Sequence, residues 1–564
     1  MVEARRGKVI KRDFDAAAKE TFDLIVVGGG IIGAGIARDA ALRGLRTLIA
    51  DKVDFACGTT SRSSRLIHGG LRYLKRLELG LVRQDLRERD VLLSIAPHLV
   101  HPLSFIIPVT SGRPLQRVAL PFGLLLYDLL YWRKSLPSHQ RLTRRETLDF
   151  EPGVEPKGLL GSYLYHDCQV PFAERLCLEN VLSAAEHGAT VLNHAKVTEF
   201  LRDGNSVSGV VVQDQISGET YQMRARVVVN ATGHWVDSVH DMLGKGSRPM
   251  VRRTKGIHLL TPQISRNAVV LFAFADSRLF FVIPWQNYSL IGTTDTDYTG
   301  DLDNVEAEAK DVTYLLKEVQ SIFPNVRSGD IFYTSAGLRA LAYSKSRRPG
   351  DVSRSHKLVD HEREDGIGGL VSVLGGKITA YRAVAEQTVD LVCHKLSAKA
   401  PCTTAEVPLP GAPIVPQQSL QQAANERGLA LDTVAHLASL YGSRFSQVLD
   451  ILIGITCISL SPMGALYFTQ ISPDAVDAII SPRSVLCGNI DGESFTCMFS
   501  GTGNPSSFLI LIVTCVLSVL YSRVIRSFSY SITLSYVIVP FCMRKSLNLG
   551  PSLIPDILVT LGVL

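Results

Sequence analysis

Long apolar runs, paired cysteines and a surplus of one charge are all scarce in this 564-residue chain. The longest apolar stretch, Phe508 to Tyr521, is 14 residues, short of the roughly 20 that a membrane-crossing helix needs. Ten cysteines are scattered with no C-x-x-C pair and no Cys/His group at zinc spacing. No metal site and no dithiol centre are therefore expected, and single thiols fit a reducing compartment. The balance of 59 basic against 53 acidic residues leaves only +6, too mild and too dispersed for a nucleic-acid partner. It suits an anionic small substrate or an anionic membrane surface. Near the start, Arg5, Arg6, Lys8, Lys11 and Arg12 have no apolar segment beside them, and Glu3, Asp13 and Asp15 interrupt them. A solvated tail is expected there, not a secretory leader.

What is present is a globular composition, 46% apolar and 20% charged, at a length that implies two to four domains. The composition is not uniform. The first 450 positions hold 102 charged residues and the last 114 hold 10, together with five of the ten cysteines. That tail reads as an unusual core segment, a membrane-associated appendage or the product of a shifted reading frame.

Phe22 to Val27 (FDLIVV) is a short, β-branched apolar run, which reads as a buried parallel strand. Gly28, Gly30 and Gly33 follow in G-x-G-x-x-G spacing, then a helical stretch, then the strand Thr47–Ala50 and Asp51. This strand–turn–helix–strand–acid order is the dinucleotide fingerprint. Gly28 permits the tight turn, Gly30 admits a pyrophosphate to the backbone, and Gly33 lets the helix lie against the sheet. Asp51 stands where a carboxylate accepts ribose hydroxyls. The fingerprint alone does not separate NAD from FAD. It occurs once, and a loop rich in hydroxyls, glycines and cations follows it (Cys57 to Tyr73, CGTTSRSSRLIHGGLRY). That composition suits a phosphate and a ring system.

FDLIVVGGGIIGAGIARDAALRG followed by GTTSRSSRLIHGGLRYL resembles the FAD-dependent, quinone-linked glycerol-3-phosphate dehydrogenase family, within the flavin oxidoreductases that include glycine and sarcosine oxidases. Further matching segments follow in order: VNATGHWV from Val229, KGIH from Lys255, FVIPW from Phe281, IGTTD from Ile291, SAGLR from Ser335 and LGGKITAYR from Leu374. The likeness spans about residues 20–410. It departs at Arg65, Ala340 and Ala380, where the family usually has Lys, Pro and Thr, and the tail after Ile451 does not resemble the family's helical domain. The shifted frame is accordingly the preferred reading of that tail.

The resemblance implies an α/β architecture: a Rossmann-like FAD-binding domain with an inserted, antiparallel β-rich substrate domain and a partial C-terminal helical segment. The expected parts are a tail (1–19), the FAD domain (20–94, 169–239 and 351–395), the substrate domain (95–168 and 240–350), a linker (396–418), the start of a helical domain (419–450) and the atypical tail (451–564). Gly188 to Gly233 reads as a β-meander of four strands with turns at Asp203-Gly204 and Ser217-Gly218.

The implied reaction is oxidation of sn-glycerol 3-phosphate to dihydroxyacetone phosphate, with FAD taking a hydride and a quinone taking the electrons. The expected cofactor contacts are Gly28, Gly30, Gly33, Asp51, Thr60, Ser61, Ser64, His68, Gly69, Ala231, Thr232, Gly233, Gly375, Gly376, Lys377 and Thr379. Arg72, Tyr73 and Arg339 are expected to hold the phosphate, because a dianion favours guanidinium forks. Arg339 is placed in a turn after Gly337. Lys377 is expected near flavin and substrate, so His258, Arg339 and Lys377 form the expected catalytic set. His258 is the preferred base and His68 the rival.

Two other activities stay open: a flavin oxidase of another small hydroxy or amino acid, and a flavin-binding protein inactivated by loss of its helical domain. Oxygen instead of quinone also stays open. The helix-like stretch Leu115 to Leu136 serves a membrane surface or a buried packing face equally well. Peripheral membrane contact and a homodimer are further expectations. So is a site on the cytoplasmic face of a bacterial or archaeal inner membrane, or on the mitochondrial inner membrane. His98 and His101 are discounted as metal ligands, and Asp295, Asp297, Asp301 and Asp303 as a turn after a strand.

Overall fold

The computed structural model describes residues 11–112, 114–131, 135–244, 249–343 and 354–455, and beyond these only short strands between 458 and 537. The glycine fingerprint runs from β1 (Thr21–Val27) into α1 (Ile31–Leu42) and back through β2 (Thr47–Ala50). Further along come α2 (Ala173–Glu186), β3 (Thr190–Leu192), β4 (Ala195–Asp203), β5 (Ser206–Asp214), β6 (Thr220–Asn230), β7 (Lys357–Asp360), β8 (Leu370–Leu374) and α3 (Tyr381–Leu396). These strands make one sheet in the order β7-β8-β6-β1-β2-β3, with β4 and β5 carried off β6 as an antiparallel ribbon.

β1 is apolar along its length because both of its faces are covered. Leu24 and Val26 pack with Ala34 and Ala37 of α1, Leu176 of α2 and Val384 of α3. Ile25 and Val27 face the opposite core, with Val210 and Val212 of β5. β1, β6 and β8 are parallel neighbours. Their carboxyl ends, which lead into Gly28, Ala231 and Gly375, therefore leave the sheet on one side, where open α/β sheets bind ligands.

The four-strand meander is corrected to three. β3 pairs in parallel with β2 and not with β4. It follows helix α2, so the chain re-enters the sheet by a crossover, and Asp51 N–H donates to Leu192 O at 3.0 Å.

A second, ten-stranded sheet is built around Val251–Pro262, which pairs antiparallel with Tyr288–Gly292 and with Tyr333–Ala342. Most of its other pairings are antiparallel, and Ala268–Phe272 runs parallel to His101–Thr110. Its far edge is Leu66–Ile67, paired with Leu159–Gln169. The loop expected to wrap the cofactor thus contributes a strand to the second sheet, although the sequence boundaries put it wholly in the first domain.

Residues up to 422 together with 435–445 form one compact unit, and 423–434 with the residues from 446 onward form another. In the latter, Ser494–Thr502, Phe508–Val516 and Ser531–Val537 make a three-stranded antiparallel sheet. The apolar stretch from Phe508 thus begins as a strand. No helix among the described residues is long and apolar enough to cross a membrane.

Candidate active site

The fingerprint is closed at two glycines and open at the third. Gly28 has φ +105°, and a Cβ there would lie 2.8 Å from Ala231 O. A Cβ on Gly33 would lie 1.9 Å from Gly28 O. On Gly30 it would meet nothing nearer than Thr60 Oγ1, at 3.5 Å. Gly30 is also the N-cap of α1 and brings no side-chain cap, so the first-turn N–H groups are available to an anion. Thr60 Oγ1 accepts one of them, from Ile31, at 3.1 Å. Asp51 accepts N–H bonds from Gly29 at 2.7 Å and Val53 at 2.9 Å. Burial raises its carboxyl above the usual range. Its two oxygens keep lone pairs for a ribose hydroxyl. The residues present fit a dinucleotide.

The neighbouring contacts are consistent. Ala231 N–H donates to Val27 O at 2.9 Å, and Thr232 Oγ1 donates to Asn230 Oδ1 at 2.7 Å. Gly233 turns the chain at φ +62°. A Cβ on Gly376 would sit 2.7 Å from Ile32 Cδ1, so Gly375-Gly376 passes against the first turn of α1. Ser61 Oγ donates to Cys57 O and Gly58 O, at 3.3 and 3.2 Å. It shapes the loop from within. Burial pushes the Cys57 thiol up to about 12, and the described cysteines are free.

Ser64 of the cofactor loop and His258 of the second sheet meet, Oγ to Nε2, at 2.9 Å. His258 is buried, and burial first, then Arg339 and Arg65, lowers its pKa to about 3. It stays neutral at physiological pH. His68 is used differently. Its Nδ1 accepts Gly70 N–H at 3.1 Å, and its own N–H donates to Thr379 Oγ1 at 3.1 Å. Gly69 N–H reaches Asp167 Oδ1 at 3.4 Å. These bonds tie the loop to the Lys377 segment.

Arg339 lies in the strand Tyr333–Ala342 and not in a turn. Gly337 faces Gly256 in register, and a Cβ on it would lie 2.9 Å from Arg62 Cβ. That glycine serves a close approach and not a reversal. The guanidinium lies over Gly256 and donates from Nη1 to Thr294 O at 3.1 Å and Asp295 Oδ1 at 3.2 Å, and from Nη2 to Thr293 Oγ1. Asp295 also holds Arg354 at 2.7 Å. It follows the strand Tyr288–Gly292, as expected, and is a buried anchor there.

Lys377 forms an ion pair with Asp85 and lies 4.2 Å from the centroid of the Tyr73 ring. Asp85 is fully buried, and desolvation raises its carboxyl to about 7 against the opposing pull of Lys377. The Arg72 side chain lies outside the described residues. His258 and Arg339 thus form one group, Lys377 and Tyr73 another, and the Ser61–Tyr73 loop joins them.

The sequence reading missed the buried carboxylates. Asp85, Glu88 and Arg89 lie on the helix Leu79–Ile95 beside the buried Val82, Leu86 and Leu92. Glu88 pairs with Arg382 at 2.6 Å and Arg89 with Asp167 at 2.8 Å. Charges recurring on an apolar stripe were the available signal.

Residues 23–382 match the family described as FAD dependent oxidoreductase. A glycerol-3-phosphate dehydrogenase of Synechocystis sp. is 42% identical over 461 residues, covering 78% of this chain and 83% of the relative. An aerobic glycerol-3-phosphate dehydrogenase of Staphylococcus haemolyticus is 34% identical, covering 79% and 81%. The chain belongs to the glycerol-3-phosphate dehydrogenases of the FAD dependent oxidoreductase family. The crystal structure of the Bacillus halodurans glycerol-3-phosphate dehydrogenase complexed with FAD is 31% identical, with a TM-score of 0.63 over 78% of this chain and 79% of that one. FAD is the cofactor of this flavoenzyme. Glycine oxidase from Geobacillus kaustophilus, at 22% identity and a TM-score of 0.51, shares the fold alone.

Proposed function

We propose that this flavoenzyme oxidises sn-glycerol 3-phosphate to dihydroxyacetone phosphate and passes the electrons to a membrane quinone. Bound FAD supplies the two-electron acceptor. The observation that carries the reading is a buried neutral imidazole, His258, hydrogen-bonded to the cofactor loop at Ser64 and grouped with the Arg339 guanidinium. Arg339 offers a planar fork to the phosphate, already aimed by Thr293, Thr294 and Asp295. Lys377 and Tyr73 hold the other side of the substrate, and Arg72 supports the phosphate. As carbon 2 gives up its hydride, the hydroxyl proton goes to His258 Nε2 by way of Ser64 Oγ. The neutral form of His258 carries the lone pair that the proton needs.

The acceptor half rests on the helix Pro114–Leu130. Leu124 and Tyr127 are buried, and Tyr127 O–H donates to Asp167 at 2.7 Å. Val118, Phe122, Leu125 and Leu129, spaced on one helical face, are each more than half exposed. The helix therefore serves both readings, one on each face, and the exposed stripe suits a membrane surface where a quinone resides. Residues 451–564 are read as a frame-shifted replacement of the family's helical domain, which sequencing around codon 451 decides.

The test is an anaerobic spectrum of the FAD-loaded protein. Glycerol 3-phosphate should bleach the flavin bands, while glycine, sarcosine and glycerol should not. Flavin that stays oxidised under glycerol 3-phosphate would sink the proposal.

A further inference from the structure

Behind the cofactor segment lies a cluster with no part in this chemistry. His240 ends the short helix Val236–His240 that follows Gly233. His361 and Asp365 lie one turn apart on the helix His361–Asp365, which follows β7. One donor atom from each of the three lies within 4.8 Å of the other two. The His240 and His361 rings stack at 4.8 Å between centroids.

Two features distinguish this from a packed histidine pair. Both ring nitrogens of His240 are buried without a hydrogen bond, an unfavourable state for a polar group. His361 Nε2 lies 2.8 Å from Ser372 Oγ. Nδ1–H donates to Asp365 Oδ2 at 2.6 Å; a bound ion would take the place of that proton, with Ser372 Oγ, which accepts as well as donates, then holding Nε2–H. A second bond that fixes the tautomer is the usual companion of a ligating imidazole. Asp365 is about a third exposed, so the cluster opens to solvent on the carboxylate side.

We infer that His240, His361 and Asp365 form a binding site for a zinc-class divalent ion. Two imidazoles and a carboxylate are a borderline-soft donor set, and three protein ligands leave the fourth position to water. Neither a C-x-x-C nor an H-x-x-H pattern announces it, because the donors come from positions 240, 361 and 365. The ion would tie the helix after Ala231–Gly233 to β7 and β8. Ser372, which supports His361, pairs with Asn230 across the sheet. The site would thus brace the segment expected to touch FAD, and its existence does not depend on the substrate.

The test uses tag-free, FAD-loaded enzyme stripped with chelator and titrated with Zn2+ by calorimetry and thermal unfolding. One ion per chain and a rise in Tm are expected. His240→Phe keeps the ring volume and loses no hydrogen bond, so it should retain flavin yet lose the ion and the rise in Tm. Asp365→Ala, at a partly exposed position, should weaken binding about 10- to 100-fold. If His240→Phe fails to fold, Asp365→Ala decides alone. No Zn2+ binding to the parent enzyme, or equal binding by the folding variants, overturns the site.

Discussion

Gly256→Ala probes the proposed phosphate site without replacing any of its side chains. The new Cβ would stand 2.3 Å from Arg339 Nη2 and 2.6 Å from its Cζ. Gly256 lies in a strand at no positive φ, so alanine suits the backbone. The crowded atoms belong to the far end of a flexible side chain, so the fold should survive and the guanidinium should move. Moving it breaks the donations to Thr294 O and Asp295 that aim the fork. Hydrogen bonds to a charged group are worth about 1.5–3 kcal/mol, so losing the fork should cost roughly 10- to 150-fold in kcat/KM. The loss should appear chiefly in KM for glycerol 3-phosphate, because the binding interaction is present before the hydride moves. The assay is anaerobic stopped-flow reduction of the flavin over a substrate series, with FAD content measured beside it. An alanine variant with full FAD and unchanged kcat/KM would refute the placing of Arg339.

Four further outcomes are expected. His258→Asn should keep FAD and lower the rate of flavin reduction about 10²- to 10⁴-fold, and Ser64→Ala, which removes the hydroxyl that relays the proton, should lower it comparably; single-turnover kinetics compare the two. Asp85→Asn should change the pH dependence of stability. A carboxyl raised to about 7 in the folded state, against an ordinary value of 3.8, favours folding below pH 4 and loses that contribution as pH rises toward 7. The variant should therefore gain on the parent enzyme between pH 4 and 7 in denaturant titrations, and a constant difference would speak against the buried proton. Phe122→Asp with Leu125→Asp should reduce sedimentation with anionic lipid vesicles at least tenfold and leave glycerol 3-phosphate reduction of the flavin intact. Gly30→Leu should lower FAD occupancy, because its open face is the one the pyrophosphate needs, and absorbance of the purified protein reads that directly.

What the sequence shows and hides follows from range. The glycine fingerprint was readable because its physics is local: Gly28, Gly33 and Asp51 act within one β–α–β turn. The two other expected cofactor segments, at Ala231 and Gly375, show only as small residues that allow a close approach and through resemblance, since composition carries no sign that β6 and β8 flank β1. Once that order is known their meeting is obligatory, because parallel neighbours end on one side. Register hides more. Arg339 was taken for a turn residue because glycine precedes it closely, whereas Gly256 and Gly337 face each other to let a guanidinium and a loop approach. β3 was joined to the wrong neighbour for the same reason, since periodicity names a strand and not its partner.

The polar partners follow one rule. A buried cation or neutral base needs a counterpart, and here each came from far away in the chain: Asp85 for Lys377, Ser64 for His258, Asp295 for Arg339. Only Asp85 left a trace, a carboxylate on the apolar stripe of its helix. The partners sit in the cofactor loop, the helix that follows it and the strand-end loop after Gly292, and the cofactor loop joins the second sheet through Leu66–Ile67. Much of the site is therefore assembled by a segment that follows the first sheet's glycine fingerprint and ends as an edge strand of the second. Displacing that loop should break the Ser64–His258 bond and part Tyr73 from Lys377, while His258 and Arg339, on paired strands, stay together.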